Sequence, residues 1–304
     1  MKKLNEIEAD EYLRRGEAYV RSGNHKNAIV ALTKAIELRG HDRLEDYFLR
    51  GGAYFCVKNF PCAIKDLTKL IELRNTEIGD DYVWRGRAYL ETKNFDKAIS
   101  DLTRAIELDG EKAYAGYFWR GTVYIALMKF DEAISDLTKA IELEGGKDAE
   151  YYSMRGTAYL GHQDFENAVG DLTKAIELSD AGAAQNYMSR GVAHYKNENY
   201  AEAVNDFSKT IEIGDLERPH AYTWRGKAHR ENKNYEAAIK DLTNAIILSG
   251  RKNADLYYER AMAYEFSGDK MHALKDMFAA SKINHDKPNG YNDFLARTYG
   301  IDSE

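Results

Sequence analysis

The chain has 304 residues, of which 44% are hydrophobic and 31% charged, and a net charge of −7. That balance describes an ordered protein and speaks against nucleic acid or an anionic membrane as its main partner. Met1, Lys2 and Lys3 run straight into Asn5, Glu6 and Glu8, so no secretory leader is expected; the longest apolar run, Tyr124 to Met128, is far too short for a bilayer.

A block of 35 residues then recurs eight times without insertion or deletion, over 9–43, 44–78, 79–113, 114–148, 149–183, 184–218, 219–253 and 254–288. An Arg-Gly pair marks the copies, from Arg15-Gly16 through Arg225-Gly226; the eighth keeps Arg260 but carries Ala261. Strict periodicity of this kind means one supersecondary unit stacked on itself as a single domain, 1–304, in which each copy covers its neighbour's apolar face.

The first copy has Ala31 where later ones have Asp, which leaves Arg15 without a partner. The second holds both cysteines, Cys56 and Cys62; with no second pair they read as free thiols of a cytoplasmic protein, not as a zinc site. In the third, Tyr82, Gly86 and Tyr89 share one face of a first helix. Lys93-Asn94 interrupts it, with Asn94 placed to cap a second helix whose apolar stripe includes Phe95, Ala98, Leu102 and Ala105. Asp109-Gly110 ends the second helix. Each copy is therefore helix, tight turn, antiparallel helix and short connector.

Two columns fix how the helices meet. Gly of the Arg-Gly pair and the Ala series Ala28 to Ala273 remove side chains where the helices of a hairpin cross. Asp follows Arg by 16 residues in copies two to eight (Asp66, Asp101, Asp136, Asp171, Asp206, Asp241, Asp276), which predicts a partly buried ion pair across each hairpin. Active-site ionisable groups do not recur eightfold, so this pair is architectural. Tyr fills the fourth place of every copy and the eleventh of six; His194 and His229 take the other two as core substitutes. The eighth copy drifts, with Lys270, Phe278 and Lys282 breaking columns. Beyond Pro288, Tyr291, Phe294, Leu295, Thr298 and Tyr299 are spaced as a capping helix over about 289–299.

The order aromatic (Tyr82), Gly (Gly86), aromatic (Tyr89), Ala (Ala98), large apolar (Leu102), Ala (Ala105) resembles the tetratricopeptide repeat over residues 9–288. The departures are a 35-residue period in place of 34, and Gly in place of the connector Pro. The resemblance implies an all-α, right-handed superhelical solenoid of antiparallel helix pairs, with first helices lining a concave face.

Non-repeating residues on those helices become the ligand candidates: Phe48, Phe55, Trp84, Arg87, Phe118, Trp119, Thr122, Met154, Met188, Tyr195, Trp224 and Lys227, with Leu49, Val83, Ile125, Arg230 and Tyr258 beside them. An aromatic groove near Arg87 suits a peptide with apolar anchors. The family's clamp for chaperone tails is not expected, since Glu45, Asp80 and Glu150 hold the corresponding places. No phosphate loop, HExxH helix or cofactor motif is present. The expectation is a cytoplasmic, non-enzymatic protein- or peptide-binding scaffold without cofactor or metal. The alternatives are an assembly module acting through its ends or convex face, by self-association, and a receptor for a small peptide or metabolite.

Overall fold

A computed structural model describes residues 2–40, 42–179, 184–214 and 218–283, with side chains from residue 5 onward. Among these residues there are sixteen α-helices and no strand. They cluster into two compact units, 1–161 and 162–304. The first contains α1 (Lys2–Arg21), α2 (His25–Arg39), α3 (Leu44–Cys56), α4 (Phe60–Leu73), α5 (Gly79–Glu91), α6 (Phe95–Asp109), α7 (Tyr114–Ala126), α8 (Phe130–Glu144) and nearly all of α9 (Ala149–His162). The second contains α10 (Phe165–Leu178), α11 (Ala184–Lys196), α12 (Tyr200–Ile213), α13 (Arg218–Glu231), α14 (Tyr235–Leu248), α15 (Ala254–Ser267) and α16 (Lys270–Ile283). The capping helix expected over about 289–299 lies outside the described residues.

Within each unit the closest packing is inside a hairpin, as of α5 on α6, followed by that of each second helix on the next first helix. The small-residue columns set the hairpin distance. A Cβ added to Gly86 or Gly121 would fall 2.8 Å from Leu102 Cγ or Leu137 Cγ, so neither helix could approach as it does with Ala there. The Ala column is fully enclosed from Ala28 to Ala273. Where the eighth copy has Ala261, the opposing position changes from Leu to Met277, whose unbranched chain packs around the extra methyl group.

Each turn inside a hairpin passes through the left-handed region, at Gly23, Lys58, Lys93, Met128, Gln163, Glu198, Lys233 and Gly268. The next residue begins the second helix. Asn24, Asn59, Asp164 and Asn234 accept from a backbone N–H of its first turn. Asn94 stands at the cap position, but its side chain makes no capping bond; only its carbonyl engages, accepting from Ala98 N at 3.0 Å. At the other end, Gly40 and Gly145 close α2 and α8 in the left-handed conformation, whereas Gly110 (φ 54, ψ −115) leads into a single 3₁₀ turn, Gly110–Lys112.

The Arg–Asp pairs form as the spacing predicts. Arg50, Arg85, Arg120, Arg190, Arg225 and Arg260 each donate from Nε and Nη2 to both oxygens of the Asp 16 residues on, at 2.7–2.9 Å. Tyr rings of the fourth place flank the guanidinium at 5.5–5.7 Å. Arg15 pairs instead with the exposed Glu11 on its own helix.

Candidate functional site

In the first unit, α1 to α5 border an apolar cavity of about 210 Å³, lined by Val20, His25, Phe48, Leu49, Cys56, Leu67 and Trp84. It exists because of one residue. The ninth place of each copy carries Glu17, Gly52, Arg87, Thr122, Thr157, Val192, Lys227 and Met262. In the second copy that place is Gly52, and an added Cβ would meet nothing within 4 Å. The missing side chain leaves the hollow, and Phe48, 45% exposed, forms part of its wall.

Beside the cavity, three copies converge on Arg87. Its guanidinium carbon lies 4.2 Å from the Trp119 ring centroid, 4.5 Å from that of Trp84 and 5.0 Å from that of Phe55. Phe55 meets Trp84 edge-on at 5.4 Å. Burial lowers the Arg87 pKa from its ordinary value, and Glu150 and Glu91 act against that from a distance. Arg87 Nε is enclosed without a hydrogen-bond partner.

The same places four copies later are occupied differently. Trp224 packs edge-on against Tyr195 at 5.2 Å and over Phe207 at 6.3 Å. Lys227 Nζ lies 5.2 Å from the Trp224 ring centroid and 2.9 Å from Glu259 Oε1; Arg230 Nη1 holds the other oxygen at 2.5 Å. Glu259 stands at the place where the fourth copy supplies Trp119, so here the cations are neutralised within the protein.

The structure thus gathers Phe55, Trp84, Arg87 and Trp119 in the first unit, with Phe48 at the nearby cavity, and Tyr195, Trp224 and Lys227 in the second. It removes three expected residues from the surface. Phe118 is 2% exposed and stacks on Tyr151 at 4.3 Å, and Met188 is 9% exposed in the core with Phe207. Both lie on the helix face turned toward the partner helices, one position from the half-buried Trp119 and Ser189. Val83, at 5% exposure, is core for the same reason. Thr122 Oγ1 donates to the Phe118 carbonyl at 2.9 Å, and the half-buried Met154 packs against the Phe118 cluster. Sequence reasoning missed Val20, His25 and Cys56 as cavity residues. The signal was the second glycine of Arg50-Gly51-Gly52, which no other copy carries.

Tetratricopeptide repeat profiles match residues 9–42, 79–112, 114–146, 153–217 and 191–256. The chain belongs to the tetratricopeptide repeat family. No curated protein matches it in sequence. Among solved structures, this tetratricopeptide repeat chain is similar to one described as the APC/C hetero-tetramer Cut9-Hcn1, with a TM-score of 0.61 and 18% identity over 90% of its length, and it spans only 52% of that chain. It is also similar to PilF of Pseudomonas aeruginosa (TM-score 0.59, 18% identity, 72% of this chain and 97% of that one). A third is the C-terminal part of a tetratricopeptide repeat protein of Cytophaga hutchinsonii (TM-score 0.57, 17% identity, 90% and 96%). At such identities the likeness carries the fold alone. Arrays of tetratricopeptide repeats serve generally as protein-interaction scaffolds, and that coarse role extends to this chain. Among the described residues no helix is long and apolar enough to cross a membrane.

Proposed function

We propose that the chain is a non-enzymatic scaffold that binds a peptide segment of a partner protein, and that the segment seats on the first-helix face of the N-terminal unit. The observation that carries this reading is the cavity beside Gly52. A soluble helical stack gains nothing from an unfilled apolar hollow, and a glycine inside a helix costs about 1 kcal/mol relative to alanine. Both costs are explained if an apolar side chain of a partner fills the space. Two free cysteines, one of them exposed, fit a reducing, cytoplasmic setting.

The test is Gly52→Leu. The new side chain enters open space, so the variant melts at or above the temperature of the parent while the cavity is plugged. Peptides enriched by the parent from a random displayed library are then offered to both proteins. Capture by the parent with loss in Gly52→Leu supports the reading; equal capture by the two proteins removes the binding site from this cavity.

A further inference from the structure

Arg87, beside this cavity, lacks the counter-ion that its equivalent in the seventh copy, Lys227, possesses. Arg74 meets Asp81, Arg230 meets Glu259, and the Arg of most hairpins grips an Asp. Lys227, which occupies the same place as Arg87 in the seventh copy, lies 2.9 Å from Glu259. Arg87 forms no ion pair or hydrogen bond with any described residue. Only its Nε is enclosed without a partner, so its two Nη groups, which bond to nothing described, reach solvent. Trp119 replaces the carboxylate that neutralises the seventh copy, and the change converts an internal salt bridge into an aromatic mount for a free guanidinium.

We propose that Arg87 is the specificity determinant of the site, and that the bound peptide carries an Asp or Glu side chain beside the apolar residue that enters the Gly52 cavity. The inference rests on the peptide-site reading above. Trp84 joins the two halves, since it lines the cavity and also lies under Arg87. Indole rings on the guanidinium fix its plane and leave its edge for an in-plane acceptor, and a carboxylate fits that edge with two parallel N–H···O bonds. Stacking also strips water from Arg87 before the ligand arrives, so less hydration is lost on binding. Glu91 and Glu150 act on Arg87 only from a distance and form no bond with it, so its donors stay open to a ligand.

The experiment uses the full chain and the library peptides whose capture is lost in Gly52→Leu. Each is resynthesised with its Asp and Glu residues changed to Asn and Gln. For the parent protein, the amide versions bind about tenfold or more weakly. Arg87→Gln still unfolds cooperatively, with a melting temperature lowered only by the loss of its ring contacts, and binds acidic and amide versions alike, while Arg87→Lys recovers only part of the preference, because an ammonium cannot make the bidentate contact. Equal affinity of acidic and amide peptides for the parent, or an unchanged preference in Arg87→Gln, overturns the assignment and leaves Arg87 a packing residue of a site that still binds peptides. If no library peptide depends on Gly52, the site reading itself fails and this inference fails with it.

Discussion

Arg120 grips both carboxylate oxygens of Asp136, at 2.7 and 2.9 Å, while its Nη1 donates to Thr103 Oγ1 of the preceding hairpin at 3.0 Å. The same third bond recurs from Arg50 to Thr33, Arg85 to Thr68, Arg155 to Thr138, Arg190 to Thr173, Arg225 to Ser208 and Arg260 to Thr243. One side chain therefore sets the register of its own hairpin and couples it to the one before. In a linear array the bond to Thr belongs to the interface term on which cooperative unfolding depends. Asp136→Asn strips the charge from a pair whose arginine is only 18% exposed, with an expected cost of roughly 3 kcal/mol. Thr103→Val should cost about 1.5 kcal/mol and broaden the urea transition, because it weakens coupling between hairpins. A Thr103→Val transition as steep as that of the parent would show that the bond carries no coupling.

The close approach of Gly121 to Leu137 and the pairing of Ala261 with Met277 are two solutions for one crossing. Gly121→Ala should destabilise by about 1–3 kcal/mol, since the methyl group meets a branched side chain in a closed core. Gly121→Ala combined with Leu137→Met transplants the eighth-copy solution and should recover most of that loss. A double mutant no more stable than the single one would mean that the eighth copy relies on something other than methionine's flexibility.

The helices, their pairing and the Arg–Asp bridges were legible because the first two are written eight times and the bridges seven, and a residue type that recurs at fixed spacing reports its geometry. Features that hang on one copy were harder to read. Phe118 and Trp119 are adjacent aromatics on one helix, and periodicity alone did not assign which faces the core. The cavity required an absence, Gly52, to be recognised as a feature. The connection from Arg39 to Asp46 and Asp10, both at 2.9 Å, joins α2 to α3 and α1 with no counterpart in most copies, so no column advertised it. The Arg-to-Thr bonds were hidden for another reason. They run between copies, and a single repeat read in isolation does not contain them.

The hairpin turn places an L-residue at positive φ in six of the eight copies, Lys93 at 59° among them. The left-handed region costs such a residue about 1–2 kcal/mol, and glycine removes that strain while giving back part of it as unfolded-state entropy. Lys93→Gly should therefore stabilise by about 0.5–1 kcal/mol, and Lys58→Gly and Lys233→Gly should add to it, since the turns are far apart. Lys65→Gly, inside α4, is the control and should lose about 1 kcal/mol. Thermal melts decide it: a drop in stability for Lys93→Gly would mean that the lysine contributes more than the turn strain takes away.

His194 and His229 replace the eleventh-place tyrosine in the second unit, each with Nε2 at 3.8–3.9 Å from the Asp of its hairpin. Burial holds both imidazoles below the ordinary histidine range; Asp206 and Asp241 pull the other way, and Arg190 and Arg225 oppose them. A depressed pKa in the folded state means that the unfolded chain takes up the proton first. Stability is then complete above about pH 6.5 and declines as the pH falls below that value, by at most about 1.4 kcal/mol per pH unit for each histidine. Urea titrations from neutral to mildly acidic pH should show this slope, and His194→Tyr with His229→Tyr should flatten it by restoring the residue that the other copies use. A double mutant that keeps the acid sensitivity of the parent would place its origin elsewhere, in the carboxylates of the array.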